Sequence, residues 1–271
     1  MRQISLMKST EAVTVRKINL TSHRDEVTSD QAAVETPVTI YVNTEPVATL
    51  FATPTAQREL AIGYLIGEGI LRFYSDIEDV VWSEETTSVH VRTKPQAQVR
   101  AGAAKVVRVL TSACGSSEDF YRLLDRIDKP VVKSQFRVSA SDIARMMIEF
   151  NEYSRKFRET GSFQYAAAFL TGKMRAFFED VGRHNAVDKT LGAIIETGLD
   201  PSRTLLVSSG RQSAAEVIKA ARVGIPIAVS IRGPIYSGVL AAQKTGVTLC
   251  CYAKGPRMNV YSGLERIIVD R

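Results

Sequence analysis

The chain has 271 residues, 45% hydrophobic and 24% charged, with a formal net charge of +6, a composition that suits one large globular domain or two small ones. No apolar run reaches the ~20 residues of a membrane helix, and Met1-Arg-Gln-Ile-Ser-Leu-Met-Lys8 has no apolar core followed by a small-residue cleavage site, so neither a membrane partner nor a secretory signal is expected. Three cysteines, two of them adjacent, build no disulfide framework, which fits a reducing cytoplasm; the cations are dispersed, without a Lys/Arg block or interleaved aromatics, which argues against nucleic acid and leaves a phosphate-bearing ligand, an acidic protein or a solvated basic surface.

Residues 1–34 are polar and aperiodic and are expected to form a loosely held arm with one strand near Val13–Ile18. Pro37–Val42 and Val47–Phe51 flank Asn43-Thr-Glu-Pro46 and predict two strands with a short turn. A helix should begin at Thr53-Pro54 or Thr55, since proline suits a first turn. It carries Leu60, Ala61, Tyr64 and Leu65 as a stripe and ends at Gly67 and Gly69. Val80–Trp82 and Ser88–Arg92 form another hairpin, and residues 94–104 a loop. Next, Lys105-Val-Val-Arg-Val-Leu-Thr-Ser-Ala-Cys-Gly-Ser-Ser-Glu-Asp119 is an apolar strand-like run, a small-residue turn holding Cys114, and the acidic opening of a helix over Glu118–Ile127. A thiol beside a helix N-terminus is favoured as thiolate; the other reading of Cys114 is a small buried hydrophobe.

From residue 134 a second unit begins. Ser139 or Ser141 can cap a long helix running through Ala144, Met147, Ile148, Tyr153 and Phe157, in which Met146 and Met147 fill core. Tyr165–Leu170 and Met174–Phe178 are strands around Thr171-Gly172. Strands at Thr204–Val207, Ile225–Ile231 and Val247–Tyr252 alternate with helices at Asn185–Ile195, Ser213–Val223 and Ile235–Lys244, and Asn259–Tyr261 adds a short strand. Such alternation argues for an α/β domain with mainly parallel strands, whose strand-to-helix loops share one sheet edge.

Two of those loops carry chemistry. Glu179-Asp-Val-Gly-Arg-His-Asn-Ala-Val-Asp188 follows a strand and opens a helix; Asn185 can cap it, with Asp188 in the capping-box position. Gly182 permits a tight turn, and Arg183 and His184 sit beside free helix N–H groups, a combination suited to a phosphate. An ordinary capped turn with an exposed arginine is the alternative. Ser208-Ser-Gly-Arg-Gln-Ser-Ala-Ala-Glu216 repeats the arrangement, with Ser209, Gly210 and Arg211 in the turn and a Ser213/Glu216 capping box. Neither loop matches a P-loop or Gly-x-Gly-x-x-Gly. There is no Cys-x-x-Cys and no His-x-x-x-His, so no protein-built metal site is expected and a zinc-dependent deaminase is disfavoured. Cys250 reads as core. Tyr252-Ala-Lys-Gly-Pro-Arg257 is either a surface hairpin or a third basic wall of the same cleft.

In order and spacing, these stretches resemble the formate dehydrogenase accessory sulfurtransferases, the FdhD family. The resemblance covers about residues 33–262 and rests on Glu35-Thr-Pro-Val-Thr-Ile40, Glu59-Leu-Ala-Ile-Gly-Tyr-Leu-Ile-Gly-Glu-Gly-Ile70, Thr111-Ser-Ala-Cys-Gly115, Thr160-Gly161 with Ala166-Ala167, the specific run Glu179–Lys189, Ser209-Gly-Arg-Gln-Ser213 and the Lys254/Arg257 turn. It implies a cytoplasmic, homodimeric sulfur carrier that takes sulfane sulfur from a cysteine desulfurase as a persulfide on Cys114. The sulfur then goes to the molybdenum (or tungsten) bis(molybdopterin guanine dinucleotide) cofactor of formate dehydrogenase. It implies a cytidine-deaminase-like α/β fold, a mixed sheet flanked by helices, with a smaller β-rich N-terminal part. The resulting division is an arm over 1–34, a β-rich subdomain with the Cys114 loop over 35–133, and a cofactor-binding domain over 134–271. The implied cofactor-binding residues are Tyr252, Ala253, Lys254, Gly255, Pro256 and Arg257, joined by Gly182, Arg183, His184, Asn185, Ser209, Gly210 and Arg211 of the two loops. Two departures matter. The family often carries a second cysteine where Ser117 stands, so Cys114 would act without a loop partner, and a non-catalytic cofactor-binding chaperone is the alternative function. Tyr165 stands where a histidine is common.

Overall fold

Charge pairing, not apolar alternation, builds the N-terminal element, and it makes two strands where the sequence suggests one. In the computed structural model, which describes residues 8–100 and 130–269, β1 (Thr10–Asn19) and β2 (Arg24–Ala33) pair antiparallel from Thr10 opposite Ala33 to Asn19 opposite Arg24. Arg16 Nε donates to Asp25 Oδ1 at 2.8 Å, and Lys17 Nζ lies 3.3 Å from Asp30 Oδ2. Cross-strand ion pairs of this kind stabilise a ladder without leaving a hydrophobic period to read.

Period-two alternation returns in the next sheet. Val38, Ile40 and Val42 of β3 (Thr36–Val42), Ala48 and Ala52 of β4 (Glu45–Ala52), Val80 of β5 (Ile77–Ser83), and Val89 and Val91 of β6 (Ser88–Thr93) all face one core, as residues two apart on a strand must. The order is β4-β3-β6-β5, with β3 and β6 parallel and the other neighbours antiparallel. Helix α1 (Gln57–Gly67) covers that face with Leu60, Ala61 and Leu65. It begins later than the Thr53–Thr55 start expected from sequence. Thr53 is committed elsewhere: its N–H donates to Asp180 Oδ2 and its Oγ1 accepts from Val181 N, both at 3.1 Å.

After β7 (Val138–Ser139) comes α2 (Ala140–Tyr153), capped by Ser139 Oγ, which accepts from Asp142 N at 3.0 Å. The single helix expected through Phe157 breaks at buried Ser154, and α3 (Arg155–Thr160) follows. Glu179 makes the break: its Oε1 accepts from Ser154 Oγ, Lys156 N and Phe157 N at 2.9, 3.1 and 3.3 Å. A carboxylate on the free N–H groups and positive dipole end of a helix favours a new start there.

The central sheet has the order β13-β12-β11-β10-β8-β9, built from β8 (Gln164–Leu170), β9 (Lys173–Asp180), β10 (Thr204–Ser208), β11 (Ile227–Ser230), β12 (Thr248–Lys254) and β13 (Arg257–Ser262). It is mixed. Only β10–β11 and β11–β12 are parallel, so the expectation of mainly parallel strands is corrected: hairpins at Thr171-Gly172 and Gly255-Pro256 add antiparallel edges. Helix α2 packs on one face through Ile143, Met146, Met147 and Phe150. Helices α4 (Arg183–Glu196), α5 (Ala214–Val223) and α6 (Tyr236–Thr245) lie on the other. The short β14 (Ile267–Ile268) pairs with β7.

Two consequences position the site. First, β8 is antiparallel to both β9 and β10, so β9, β10 and β11 all point the same way, and the turns into α4, α5 and α6 open at one edge. Second, α1 and α4 cross at glycines. A Cβ on Gly63 would lie 1.8 Å from the Asp188 carbonyl oxygen, and one on Gly192 would lie 1.9 Å from the Glu59 carbonyl oxygen. Neither helix can carry a larger residue at its crossing point, and the close approach fixes α4 against the N-terminal sheet.

Candidate functional site

The entrance to α4 is set by a buried polar knot. Asp180 ends β9 fully buried. Its Oδ1 accepts from Gly182 N and Asn185 Nδ2, both at 2.9 Å, and its Oδ2 accepts from Lys189 Nζ at 2.5 Å. Lys189, also fully buried, donates a second bond to the Thr53 carbonyl at 2.9 Å. Burial pulls the Lys189 pKa down, against the attraction of Asp180. The unusual run Glu179–Lys189 is therefore largely a fastening: Glu179 starts α3, and Asp180, Gly182, Asn185 and Lys189 close the turn and tie it to the strand before α1.

This geometry corrects one expectation. Asn185 is not the cap of α4; the helix begins at Arg183 and Gly182 occupies the cap. The Asn185 amide instead donates to Asp180 and, at 2.8 Å, to the Phe51 carbonyl. Asp188 is not a capping-box partner either. It lies buried in a triad with Lys219 and Glu68, where Lys219 Nζ sits 2.6 Å from Asp188 Oδ2 and 3.0 Å from Glu68 Oε1. Burial, and the second carboxylate beside it, push the Asp188 carboxyl up to about 6 despite Lys219. One ammonium between two acids leaves a surplus negative charge, which is why the acid is the group that gains proton affinity.

With the turn fixed, Arg183 crosses to the second loop. A Cβ on Gly210 would stand 2.8 Å from Arg183 Cβ, so only glycine lets the arginine lie over this loop. Arg183 Nε then donates to Glu216 Oε1 on α5 at 3.1 Å. His184 Nε2 lies 3.0 Å from the same oxygen, close enough to interact electrostatically although the pair meets no hydrogen-bond geometry. Glu216 is the predicted box partner of Ser213: its carboxylate accepts from Ser213 N at 2.9 Å and from Ser213 Oγ. Burial opposes its charge, yet His184, Ser213 and Arg183 together hold its carboxyl at about 2.

The second loop is pinned by backbone. Ser209 N donates to the Tyr165 carbonyl at 2.9 Å, Tyr165 N donates to Ser209 Oγ at 2.9 Å, and the Gly210 carbonyl accepts from Ser230 Oγ at 2.7 Å. Gln212 and Ile235 link it to the third loop, Ile231–Ile235.

Between the loops lies a cavity of about 680 Å³. The sequence-derived residues Gly182, Arg183, His184, Asn185, Ser209, Gly210 and Arg211 all line it, joined by Phe51, Gln164, Val181 and Arg232. Arg211 and Arg232 are exposed, and neither makes an ion pair among the described residues. Glu216 offsets one cation, so the cleft keeps a positive surplus suited to an anion. Arg232 stands in a strand-to-helix turn reading Ile231-Arg-Gly-Pro234, an echo of the two Gly-Arg loops that was visible in the sequence. Phe51 carried no such signal.

Tyr252 to Arg257 do not line the cavity. Tyr252, Ala253 and Lys254 end β12, Gly255 and Pro256 turn, and Arg257 begins β13. The hairpin sits at the same sheet edge, where Tyr252 N donates to the Arg232 carbonyl at 3.1 Å. Gly233 leaves room for the Tyr252 ring, since a Cβ there would stand 2.4 Å from its hydroxyl. Tyr165 is a core residue. Its hydroxyl donates to Asn151 Oδ1 at 3.1 Å, its ring packs at tilted angles among Phe150, Phe157 and Phe177, and burial raises its pKa. Cys250 and Cys251 are fully buried on opposite faces of the sheet, and burial pushes both thiols up to about 12. Cys114, the helix expected after it and Ser117 lie outside the described residues. Among the described residues no cluster of three His, Cys, Asp or Glu side chains is placed to hold a metal, and no helix is long and apolar enough to cross a membrane.

The chain resembles proteins described as sulfur carrier protein FdhD. That of Shouchella clausii is 32% identical over 240 residues, covering 88% of this chain and 90% of the relative. That of Listeria innocua is 34% identical over 241 residues, covering 87% and 90%, and that of Bacillus subtilis is 31% identical over 239 residues, covering 88% and 90%. The crystal structure of a candidate formate dehydrogenase accessory protein from Desulfotalea psychrophila superposes with a TM-score of 0.77 at 24% identity, covering 96% of this chain and all of that one, and shows that the fold is shared. The model of the FdhD/NarQ family matches residues 33–268. With the match spanning the four-stranded and six-stranded sheets and the arginine-lined edge, the chain belongs to the FdhD/NarQ family.

Proposed function

We propose that the protein is a sulfurtransferase that carries sulfane sulfur as a persulfide on Cys114 and delivers it to the guanine-dinucleotide molybdenum or tungsten cofactor destined for formate dehydrogenase. The observation that carries the reading is the cleft of about 680 Å³ in which Arg183, Arg211 and Arg232 converge at one sheet edge. Helix entrances and arginines together favour phosphate oxygens, and a dinucleotide pyrophosphate supplies them. The thiol assignment rests on chemistry by exclusion: Cys250 and Cys251 are buried, protonated thiols, and a protonated thiol is a poor nucleophile. In loading, the Cys114 thiolate attacks the terminal sulfur of a cysteine desulfurase persulfide. One S–S bond forms at Cys114 as the donor's S–S bond breaks, and the desulfurase thiolate leaves. Release of that sulfur as sulfide takes two electrons, supplied by a thiol reductant or by the metal of the cargo. The protein acts as a homodimer in the cytoplasm in this reading.

Mass spectrometry after incubation with a cysteine desulfurase and cysteine tests it. One or more sulfur atoms should add at Cys114, and Cys114→Ala should abolish both loading and activation of formate dehydrogenase. Full activation by Cys114→Ala would leave only the role of a cofactor-binding chaperone.

A further inference from the structure

The arginines account for only part of the cleft lining. Two further lining residues have no role in the sulfur chemistry, Phe51 and Gln164. Phe51 is 61% exposed, on the face of its strand opposite the fully buried Ala52. Its backbone is fixed twice: it pairs with Pro37 across β3 and β4, and its carbonyl accepts from Asn185 Nδ2 at 2.8 Å. The ring is thus a large apolar surface presented from a rigid backbone at the rim of a polar cavity. Gln164 begins β8 opposite Asp180. Its Oε1 accepts from Ser209 Oγ at 3.1 Å, while Ser209 Oγ itself accepts from Tyr165 N. The carbonyl end of the amide is therefore engaged by the protein, and the Nε2 end keeps its two N–H groups for the cavity.

Resting on the anionic-nucleotide reading above, we infer that Phe51 is the platform on which the purine base of the ligand stacks and that Gln164 selects guanine over adenine. An aromatic ring held flat against a base contributes sequence-tolerant affinity. A free glutamine can pair with adenine by using both ends of its amide, the oxygen accepting from N6 and the nitrogen donating to N7. Ser209 holds the oxygen end of Gln164, so the end left to meet the base is the Nε2 pair of donors. The guanine edge with O6 and N7 as acceptors satisfies those donors, whereas the adenine N6 amino group would meet them donor to donor. Ser209 is then a positioning residue: it sets which end of Gln164 meets the base.

Calorimetry of the full-length protein with GDP, ADP and inorganic pyrophosphate tests the assignment. The unmodified protein should bind GDP more tightly than ADP. Phe51→Ala should weaken GDP and ADP alike, by roughly 5- to 100-fold from the loss of stacking, and leave pyrophosphate unchanged; Phe51→Tyr should restore both. Gln164→Glu, which replaces donors by acceptors, should erase or reverse the GDP preference, and pyrophosphate again serves as the control for fold and phosphate site. The inference is overturned if Phe51→Ala leaves GDP binding intact, if it weakens pyrophosphate equally, or if Gln164→Glu keeps the preference for GDP. Sulfur loading of Cys114 without any GDP preference overturns the base site alone. A GDP preference that depends on Phe51 and Gln164, without sulfur loading, overturns the carrier reading and leaves the base site standing.

Discussion

Arg183 on α4 and Glu216 on α5 join two helix entrances that lie 33 residues apart in sequence, through a single Nε–Oε1 contact of 3.1 Å. The bond uses one edge of the guanidinium, so the terminal nitrogens stay available to a ligand while the side chain is held across Gly210. Arg183→Ala removes both functions, and Arg211→Ala removes an exposed cation with no such tether. Charge-assisted hydrogen bonds are worth about 1.5–3 kcal/mol each, so either change should weaken guanine-nucleotide binding about 10- to 100-fold by calorimetry, more steeply at low salt. Unchanged affinity would place the anion elsewhere.

Glu216 also makes stability depend on pH. Its folded carboxyl is held at about 2 against an ordinary value of 4.5, so the unfolded state takes up its proton first as pH falls. The stabilisation is complete above about pH 5 and fades as pH drops through the folded value. The difference corresponds to something on the order of 3 kcal/mol. Urea denaturation should therefore show Glu216→Gln much less stable than the parent at pH 7, with the gap narrowing by pH 3. A gap that stays constant between those pH values would mean that the charge on Glu216 contributes nothing.

Asp180 and Lys189 form a fully buried pair that also holds Gly182, Asn185 and the Thr53 carbonyl. Removing one member strands the other. Lys189→Met should cost about 3–5 kcal/mol, measured by chemical denaturation, and should loosen the turn that presents Arg183. The double change Asp180→Asn with Lys189→Met should recover part of that loss, because no uncompensated charge remains. If the two single changes simply add, the pair is not coupled.

The α1–α4 crossing gives the sharpest packing prediction. Gly192→Ala would drive a methyl to within 1.9 Å of the Glu59 carbonyl oxygen, a backbone atom that cannot rotate away. The helices must separate, at a cost of about 1–3 kcal/mol or more. Gly198→Ala, two residues past the end of α4, has nothing within 4 Å of the added carbon but needs a positive φ, so its cost is a backbone penalty of about 1 kcal/mol. Thermal melts of the two variants should rank them in that order.

The strands of both larger sheets were legible because they alternate or run apolar, and the two chemistry-bearing loops because glycine, arginine and helix-capping residues stand together. What local sequence could not show was where polar side chains find their partners. Asn185 has the residue type and the spacing of a cap, but its amide goes to Phe51 and Asp180. Thr53 looks like a helix start, but it answers to Asp180, 127 residues on. The helix from Ser139 has an unbroken apolar stripe, yet Glu179 takes the amides of Lys156 and Phe157 and splits it. The β1–β2 hairpin left no hydrophobic period because charges pair across it. Phe51 enters the cleft only through the topology, which folds strand ends from distant parts of the chain to one edge; Arg232 left only the faint echo of the Gly-Arg loops in Ile231-Arg-Gly-Pro234.

The three cysteines should separate by reactivity. A thiol with a pKa of about 12 is ionised at roughly one part in 100,000 at pH 7, and Cys250 and Cys251 are besides sealed in two different cores. Iodoacetamide at pH 7 should leave both unmodified in the folded protein and modify them only after denaturation, as read by peptide mapping. The double variant Cys250→Ala/Cys251→Ala should accept as much sulfur from a cysteine desulfurase as the parent, with some loss of stability from the emptied volume. Loss of loading in that variant, in a protein that still binds nucleotide, would move the sulfur chemistry from the Cys114 turn into the central sheet.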